Sequence, residues 1–179
     1  MKFVLVDKVT EVEPGRRARG YRDLAADAGY YRDHLPAFPV EPGVLILESM
    51  AQLGGRLVQQ SVKRESGRDV LPMLAMVNHA EFRRPVRPPS RLELDATIRS
   101  VRATGAKVDA TATVDGEQAA SATITYVLVG LDHDAPGIGA ESLAAIRTWG
   151  ERTWAEMTAG APSAAAAEPP GDRAEKQAR

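Results

Sequence analysis

One run of the sequence, "GVLILESMAQLGGRLVQQSVKR" beginning at Gly43, limits the possible folds more than any other feature. It is long enough for about six turns of helix, and Pro42 and Gly43 are both acceptable at a helix start. We therefore predict a long, mostly buried helix. Gly54 and Gly55 each disfavour a helix interior by up to about 1 kcal/mol. We expect another backbone, from a sheet or a second subunit, to approach the helix closely there.

The segments around this run change to a period of two. In "RLELDATIRS", apolar residues alternate with polar ones from Leu92 to Ile98, which predicts a half-buried strand. "KVDATATVDGEQAASATITYVLVG" continues the alternation on both sides of Asp115 and Gly116, a pair suited to a tight type I′ turn. "MKFVLVDKVTEVEPGRRARGYRDL" holds two strand-like runs separated by "EPG", which predicts an N-terminal hairpin.

These patterns predict an α+β fold with an antiparallel sheet of about six strands and one long helix inserted after the first strands. Such a sheet must bury one face, and the long helix is the only predicted element able to cover it. We assign residues 1–132 to this domain. Residues 133–158 form an amphipathic helical appendage, and residues 159–179 are an Ala/Pro-rich tail whose composition predicts disorder.

The charge and cysteine content excludes several classes of function. Lys and Arg number 23 against 24 Asp and Glu, a net charge of -1, which does not indicate binding to nucleic acid or to an anionic membrane. The absence of cysteine excludes disulfides, thiolate nucleophiles and cysteine-ligated metals. Asp7 and Lys8 interrupt the apolar N-terminus where a signal peptide would be unbroken, so we expect a cytoplasmic protein.

The stretch "HLPAFPVEPGVLILESMAQ" places His34 in a proline-punctuated loop and Glu48 inside an apolar run. A histidine in such a loop is usually a surface or capping residue. A lone glutamate in an apolar helix more often reaches solvent or pairs with another charge. Taken one at a time, the two residues therefore leave both structural and catalytic roles open.

The segment "HLPAFPVEPGVLILESMAQLGG" closely resembles the signature of the FabZ-type 3-hydroxyacyl-acyl-carrier-protein dehydratases, approximately H-F-P-G-H-P-x-x-P-G-V-L-x-x-E-A-x-A-Q. A second segment, "NHAEFRRPVRPPSRLELDATI", resembles that family's F-R-R-P-V and L-E-L pattern. The resemblance covers about residues 3–130 and implies the hotdog fold, a sheet wrapped around a central helix. It also implies an enzyme, a lyase that dehydrates 3-hydroxyacyl thioesters to trans-2-enoyl thioesters in fatty-acid or polyketide/polyene biosynthesis.

The resemblance also implies roles for individual residues. His34 matches the family's catalytic histidine, Glu48 its catalytic acid, and Gly43 the glycine at the helix start. The active site is expected at a dimer interface, where His34 of one subunit faces Glu48 of the other. The assembly would be a homodimer or a higher oligomer of dimers, with a paralogous hotdog partner as an alternative.

These residue types suit the chemistry of dehydration. A neutral histidine can remove the α-proton. Apolar surroundings favour the protonated form of Glu48, which can then protonate the departing hydroxyl. The Gly43 N–H, at a helix N-terminus, can donate to the thioester oxygen. No metal or cofactor is expected, because the substrate is carried on the phosphopantetheine arm of acyl carrier protein.

Two surface features bear on substrate delivery. "RRPVRPPSR" is a local basic cluster in a neutral protein, and we predict that it docks the acidic carrier protein; its members are Arg83, Arg84, Arg87 and Arg91. Ala37 and Phe38 replace the family's common Gly-His beside the expected substrate entrance, and Glu41 stands where an apolar residue is frequent. These departures favour a specialised member that serves polyketide or polyene assembly.

Alternative functions remain open on the sequence. The chain could be a noncatalytic hotdog subunit of a heteromeric dehydratase, or a hotdog acyl thioesterase in which Glu48 assists attack by water. A related class of dehydratase that also isomerises the double bond typically has Asp at the acid position, so Glu48 favours simple dehydration.

Overall fold

The computed structural model of the chain describes residues 3–131 and 138–160. Six strands and three helices are found in these residues. In chain order they are β1 (Lys8–Glu13), β2 (Arg17–Leu24), α1 (Tyr30–His34), α2 (Gly43–Ser66), β3 (Val70–Phe82), β4 (Ser90–Val101), β5 (Gly105–Val114), β6 (Glu117–Gly130) and α3 (Ala140–Thr158).

The six strands form a single antiparallel sheet in the order β1-β2-β4-β5-β6-β3. The β5–β6 hairpin turns at Asp115 and Gly116, whose φ angles of 54° and 77° are both positive, as a type I′ turn requires. At one edge of the sheet, β3 pairs within the chain with β6 only. The predicted N-terminal hairpin and the predicted α+β fold are confirmed.

The long helix α2 lies across one face of the sheet and supplies much of the core. It begins directly after Pro42 and ends at Gly67, whose φ of 71° gives a left-handed C-cap with its N–H bonded to the Lys63 carbonyl at 2.9 Å. Its buried side chains pack with those of alternating strand positions in one apolar core; they include Leu53, Leu57 and Val58 from the helix and Leu92, Val108 and Ile124 from the sheet.

The two glycines inside α2 lie against the sheet, which is one of the two neighbours that we expected there. The close contact, however, is with side chains of the sheet and not with its backbone. A Cβ on Gly54 would lie 2.7 Å from the Tyr126 hydroxyl and 3.2 Å from a Val108 methyl. A Cβ on Gly55 would lie 3.5 Å from the Tyr126 ring, which is an ordinary contact. Gly54 therefore makes room for one buried phenol.

The helix α3 lies within the segment 133–158, and it shares the domain's core. Met157 is buried in the main apolar cluster, while Leu143 packs with Leu131 in a smaller one. The expectation that α2 alone covers the sheet was therefore incomplete. The proposed boundary at 132/133 and most of the predicted tail, from residue 161 on, lie outside the described residues. None of the described helices is long and apolar enough to cross a membrane.

Candidate active site

His34 is the last residue of α1 and is exposed to solvent. Its Nδ1 lies 3.3 Å from the carbonyl oxygen of Val40. Because a carbonyl can only accept a hydrogen bond, this contact requires the proton on Nδ1 and leaves a lone pair on Nε2 in the neutral ring. The local structure thus presents Nε2 as the proton-accepting atom.

A buried ion pair holds α1 in place. Arg22, on β2, donates to Glu41 over 2.8 Å, and both side chains are almost fully buried. The hydroxyls of Tyr30 and Tyr31 donate to the other Glu41 oxygen over 2.8 and 2.7 Å. Burial raises the pKa of both phenols, so they remain protonated donors. The helix that ends in His34 is thereby anchored to the sheet.

Glu48 lies on α2, one turn before Gln52. The Gln52 side-chain N–H donates to Glu48 Oε1 over 3.0 Å. The N-terminal segment fixes this amide, because Leu5 N–H donates to Gln52 Oε1 over 2.8 Å and Gln52 Nε2 also donates to the Phe3 carbonyl over 3.2 Å. The amide orientation is therefore determined, and its N–H group faces the carboxyl group.

Glu48 also lines a cavity of about 380 Å³ beside β3. Much of its wall is apolar, including Phe3, Val4, Leu71 and Leu74. His34 is not among the residues that line this cavity. A single chain therefore does not bring His34 and Glu48 together in it.

Gly43 is the first residue of α2, and its N–H has no hydrogen-bond partner among the described residues. A Cβ at this position would lie 3.1 Å from the ring of Phe82, so the ring occupies the space beside the glycine. Gly43 and Phe82 line a second cavity of about 280 Å³ together with Arg83 and Arg84. Two predicted docking residues are thus adjacent to the predicted thioester-binding amide.

The four arginines of the basic cluster do not form one uniform surface. Arg84 is bound to Glu117 and to backbone carbonyls of the β5–β6 turn, and Arg91 is bound to Asp23 over 2.7 and 2.9 Å. Both have structural partners. Their remaining capacity for an external partner is correspondingly reduced.

The other two members are more accessible. Arg83 is exposed and pairs with Glu81 over 3.0 Å. The Arg87 guanidinium lies 4.8 Å from the centre of the Phe38 ring. Phe38 and Ala37 are exposed in the turn that follows α1. Phe38, predicted to lie at the substrate entrance, therefore contacts Arg87, predicted to dock the carrier protein.

Sequence reasoning missed three contributors to this region. Gln52 could have been identified, since it is the final position of the quoted motif and is one helical turn from Glu48. Glu41 was noted only as a departure, and nothing in the local sequence indicates that Arg22 is its partner. The contribution of α3 to the Glu48 cavity, through Trp149 and Met157, has no sequence signal.

The six-stranded sheet wrapped around α2 defines a hotdog-fold protein, and solved structures share this fold. A Streptococcus mutans protein, smu.793, bound to acetyl CoA, superposes with a TM-score of 0.52 at 19% identity, over 69% of this chain and 88% of its own. The conserved protein PA5202 of Pseudomonas aeruginosa superposes with a TM-score of 0.54 at 15% identity, over 68% and 87% of the two chains.

Sequence relatives identify the family within that fold. Residues 1–123 match the model of the FabA-like domain. The 3-hydroxyacyl-acyl-carrier-protein dehydratase FabZ of Bacillus cereus strain AH820 is 42% identical over 126 residues, which are 70% of this chain and 85% of the relative. That of Bacillus subtilis strain 168 is 39% identical over 70% of this chain and 87% of its own length. The chain belongs to the FabZ-type dehydratase family, which confirms the resemblance.

Proposed function

We propose that this chain dehydrates 3-hydroxyacyl thioesters on acyl carrier protein to trans-2-enoyl thioesters. The observation that carries the proposal is its family membership, with about 40% identity to named FabZ enzymes over most of their length. Fatty-acid biosynthesis is the setting that these relatives favour. A more specialised form of the proposal is that the enzyme acts in polyketide or polyene assembly. It rests on Ala37 and Phe38, which replace the family's common Gly-His.

The proposed reaction assigns each proton to a group in the candidate site. His34 Nε2 removes the α-proton, and the charge that develops on the thioester oxygen is stabilised by the Gly43 N–H. Protonated Glu48 donates to the β-hydroxyl, which leaves as water while the double bond forms. The Gln52 N–H then stabilises the resulting carboxylate by a charge-assisted hydrogen bond. No cofactor is required.

We propose that His34 and Glu48 meet across a two-fold dimer interface along β3. This edge strand exposes four large apolar side chains on the isolated chain; they are Met73, Leu74, Met76 and Phe82. A long, exposed, apolar edge strand is a template for pairing with another strand. Pairing two copies of β3 would bury these side chains and bring a second chain to the Glu48 cavity.

We further propose that the carrier protein docks beside the Gly43 cavity. The exposed arginines near it, Arg83 and Arg87, can attract an acidic partner, and they have fewer internal contacts than Arg84. Replacing both by Glu should raise KM for carrier-bound substrate and leave KM for a small thioester unchanged. An equal effect on both substrates would reject this docking site.

The reverse reaction provides a direct test of the dehydratase. The purified protein, incubated with a crotonyl thioester, should consume the conjugated double bond without release of free thiol. Release of thiol would instead indicate a thioesterase, and absence of both changes would support a noncatalytic subunit.

Two variants test the assigned residues. His34→Ala and Glu48→Gln should each lower hydration by at least about 100-fold, the usual contribution of a general acid or base. The oligomeric state should be unchanged in both, as checked by light scattering. A wild-type rate in either variant would contradict the mechanism.

A further inference from the structure

The Glu48 cavity continues along α2 toward the C-terminal helix. The α2 residues that line it lie on one helical face, from Glu48 through Gln52 and Arg56 to Gln59. Eight residues separate Glu48 from Arg56, a rise of about 12 Å along the helix. At that distance the wall of the cavity passes to α3, which contributes Trp149 and Met157.

Arg56 joins the two helices at this end of the cavity. Its guanidinium lies 5.2 Å from the centre of the Trp149 ring and donates to Thr153 over 3.2 Å and to Gln59 over 2.9 Å. Burial lowers the pKa of Arg56. A Cβ on Gly150 would lie 3.3 Å from Arg56 Nη1, so the glycine permits this close approach.

We propose that Trp149, held by Arg56, is the far wall of the acyl-binding site and limits the length of the acyl chain. This inference rests on the proposed function, in which the thioester end of the substrate lies at Glu48. A linear acyl chain suits the passage between them, because its walls include Leu71, Leu74 and the Tyr126 ring.

Trp149 lies in the C-terminal segment, outside the part of the chain that matches the family model. The FabA-like match ends at residue 123, whereas α3 begins at Ala140. The helix is held firmly enough to act as a wall, since Met157 belongs to the main core and Leu143 to the smaller cluster. Trp149 is 46% exposed, so it can contact a ligand.

The chain contains only two tryptophans, which permits a binding test that is independent of catalysis. In Trp154→Phe, Trp149 is the single tryptophan, and in Trp149→Phe it is Trp154, which lines a different cavity. Titration with decanoyl-pantetheine should shift the Trp149 emission to the blue and leave the Trp154 emission unchanged. Acetyl-pantetheine, too short to reach α3, should change neither.

Three results of this titration would overturn the inference. They are an equal response of the two variants, no response of Trp149 to saturable binding, and no saturable binding of the decanoyl ligand by calorimetry. The first two would place the acyl chain away from α3, and the third would show that the cavity does not bind it.

A kinetic comparison tests the consequence for specificity. Trp149→Ala should raise the ratio of kcat/KM for dodecenoyl to crotonyl thioester by about tenfold, the gain expected from burying roughly two more methylenes. Trp154→Ala is the matched control and should leave the ratio unchanged. An unchanged ratio in Trp149→Ala would reject the length limit. Lack of hydration by every form, with the fluorescence response retained, would reject the dehydratase reaction but keep the acyl site.

Discussion

The Glu41 carboxylate is fully buried, and polar groups from two other elements converge on it. One oxygen accepts from Arg22 of β2, and the other from Tyr30 and Tyr31 of α1. A buried charge pair is strongly destabilised when one partner is removed, because the other charge remains in a medium of low polarity. At the residue scale, this contact secures the short helix that presents His34.

Glu41→Gln should therefore destabilise the protein by about 3 kcal/mol or more, since Arg22 is left as an uncompensated buried cation. An amide whose oxygen accepts from the tyrosines turns its N–H₂ group toward Arg22, so the loss reports on both the charge and the hydrogen bond of this pair. Urea unfolding at equal protomer concentration measures it.

The double variant Arg22→Met/Glu41→Gln is the control for this prediction. It removes both charges, so a substantial part of the lost stability should return. If the double variant loses as much stability as the sum of the losses in Glu41→Gln and in Arg22→Met alone, Arg22 and Glu41 are not coupled.

At the scale of secondary-structure elements, the contact between α2 and β6 depends on one phenol. Tyr126 is buried, its hydroxyl donates to the Ala51 carbonyl over 2.7 Å, and burial raises its pKa. The hydroxyl lies where a side chain on Gly54 would be. The helix and the strand can approach this closely only because Gly54 has no Cβ.

Gly54→Ala should destabilise the fold, because overpacking a core costs about 1–3 kcal/mol, of which the higher helix propensity of alanine offsets at most about 1 kcal/mol. Gly55→Ala is the matched control, because its Cβ meets only ordinary contacts and gains up to about 1 kcal/mol of helix propensity. Thermal unfolding of the two variants should therefore shift in opposite directions.

A double-mutant cycle tests whether the Tyr126 hydroxyl is the group that clashes with the methyl of Gly54→Ala. Tyr126→Phe removes the hydroxyl that the new methyl meets, so Gly54→Ala should cost less stability in this background than in the wild type. Tyr126→Phe alone accounts for the lost hydrogen bond to the Ala51 carbonyl. If Gly54→Ala costs as much stability in the Tyr126→Phe background as in the wild type, the steric explanation is wrong.

The elements with a clear period were predictable from the sequence, and the others were not. The apolar run that begins at Gly43 predicted the helix α2, and the alternation of apolar and polar residues predicted the strands β4, β5 and β6. The edge strand β3 has no such alternation, since it exposes residues on both faces. Its pairing with β6, distant in sequence, follows from tertiary packing that periodicity does not encode. Likewise, the motif identified His34 and Glu48, but the Arg22 and Trp149 contacts join segments far apart in the chain.

At the scale of the whole molecule, the proposed site requires two copies of the chain. His34 lies outside the cavity that holds Glu48, and the apolar side chains of β3 are exposed beside that cavity. A two-fold dimer formed along β3 would have two equivalent sites, each combining residues from both subunits.

Mixing two inactive variants tests whether the site is shared. Each mixed dimer of His34→Ala and Glu48→Gln has one site with both residues altered and one with both intact. Random exchange of subunits should therefore restore about a quarter of the wild-type rate, because half of the dimers are mixed and each has one of two sites intact. The measurement is crotonyl-thioester hydration after unfolding and refolding the variants together.

If His34 and Glu48 acted within one chain, every site in the mixture would carry one substitution and no activity would return. The control adds Met73→Lys and Met76→Lys to both variants. Charged side chains on an edge strand oppose pairing, so these substitutions should yield monomers by light scattering and abolish the restored activity. Dimers that persist and still restore activity despite the two lysines would show that β3 is not the surface through which the site is assembled.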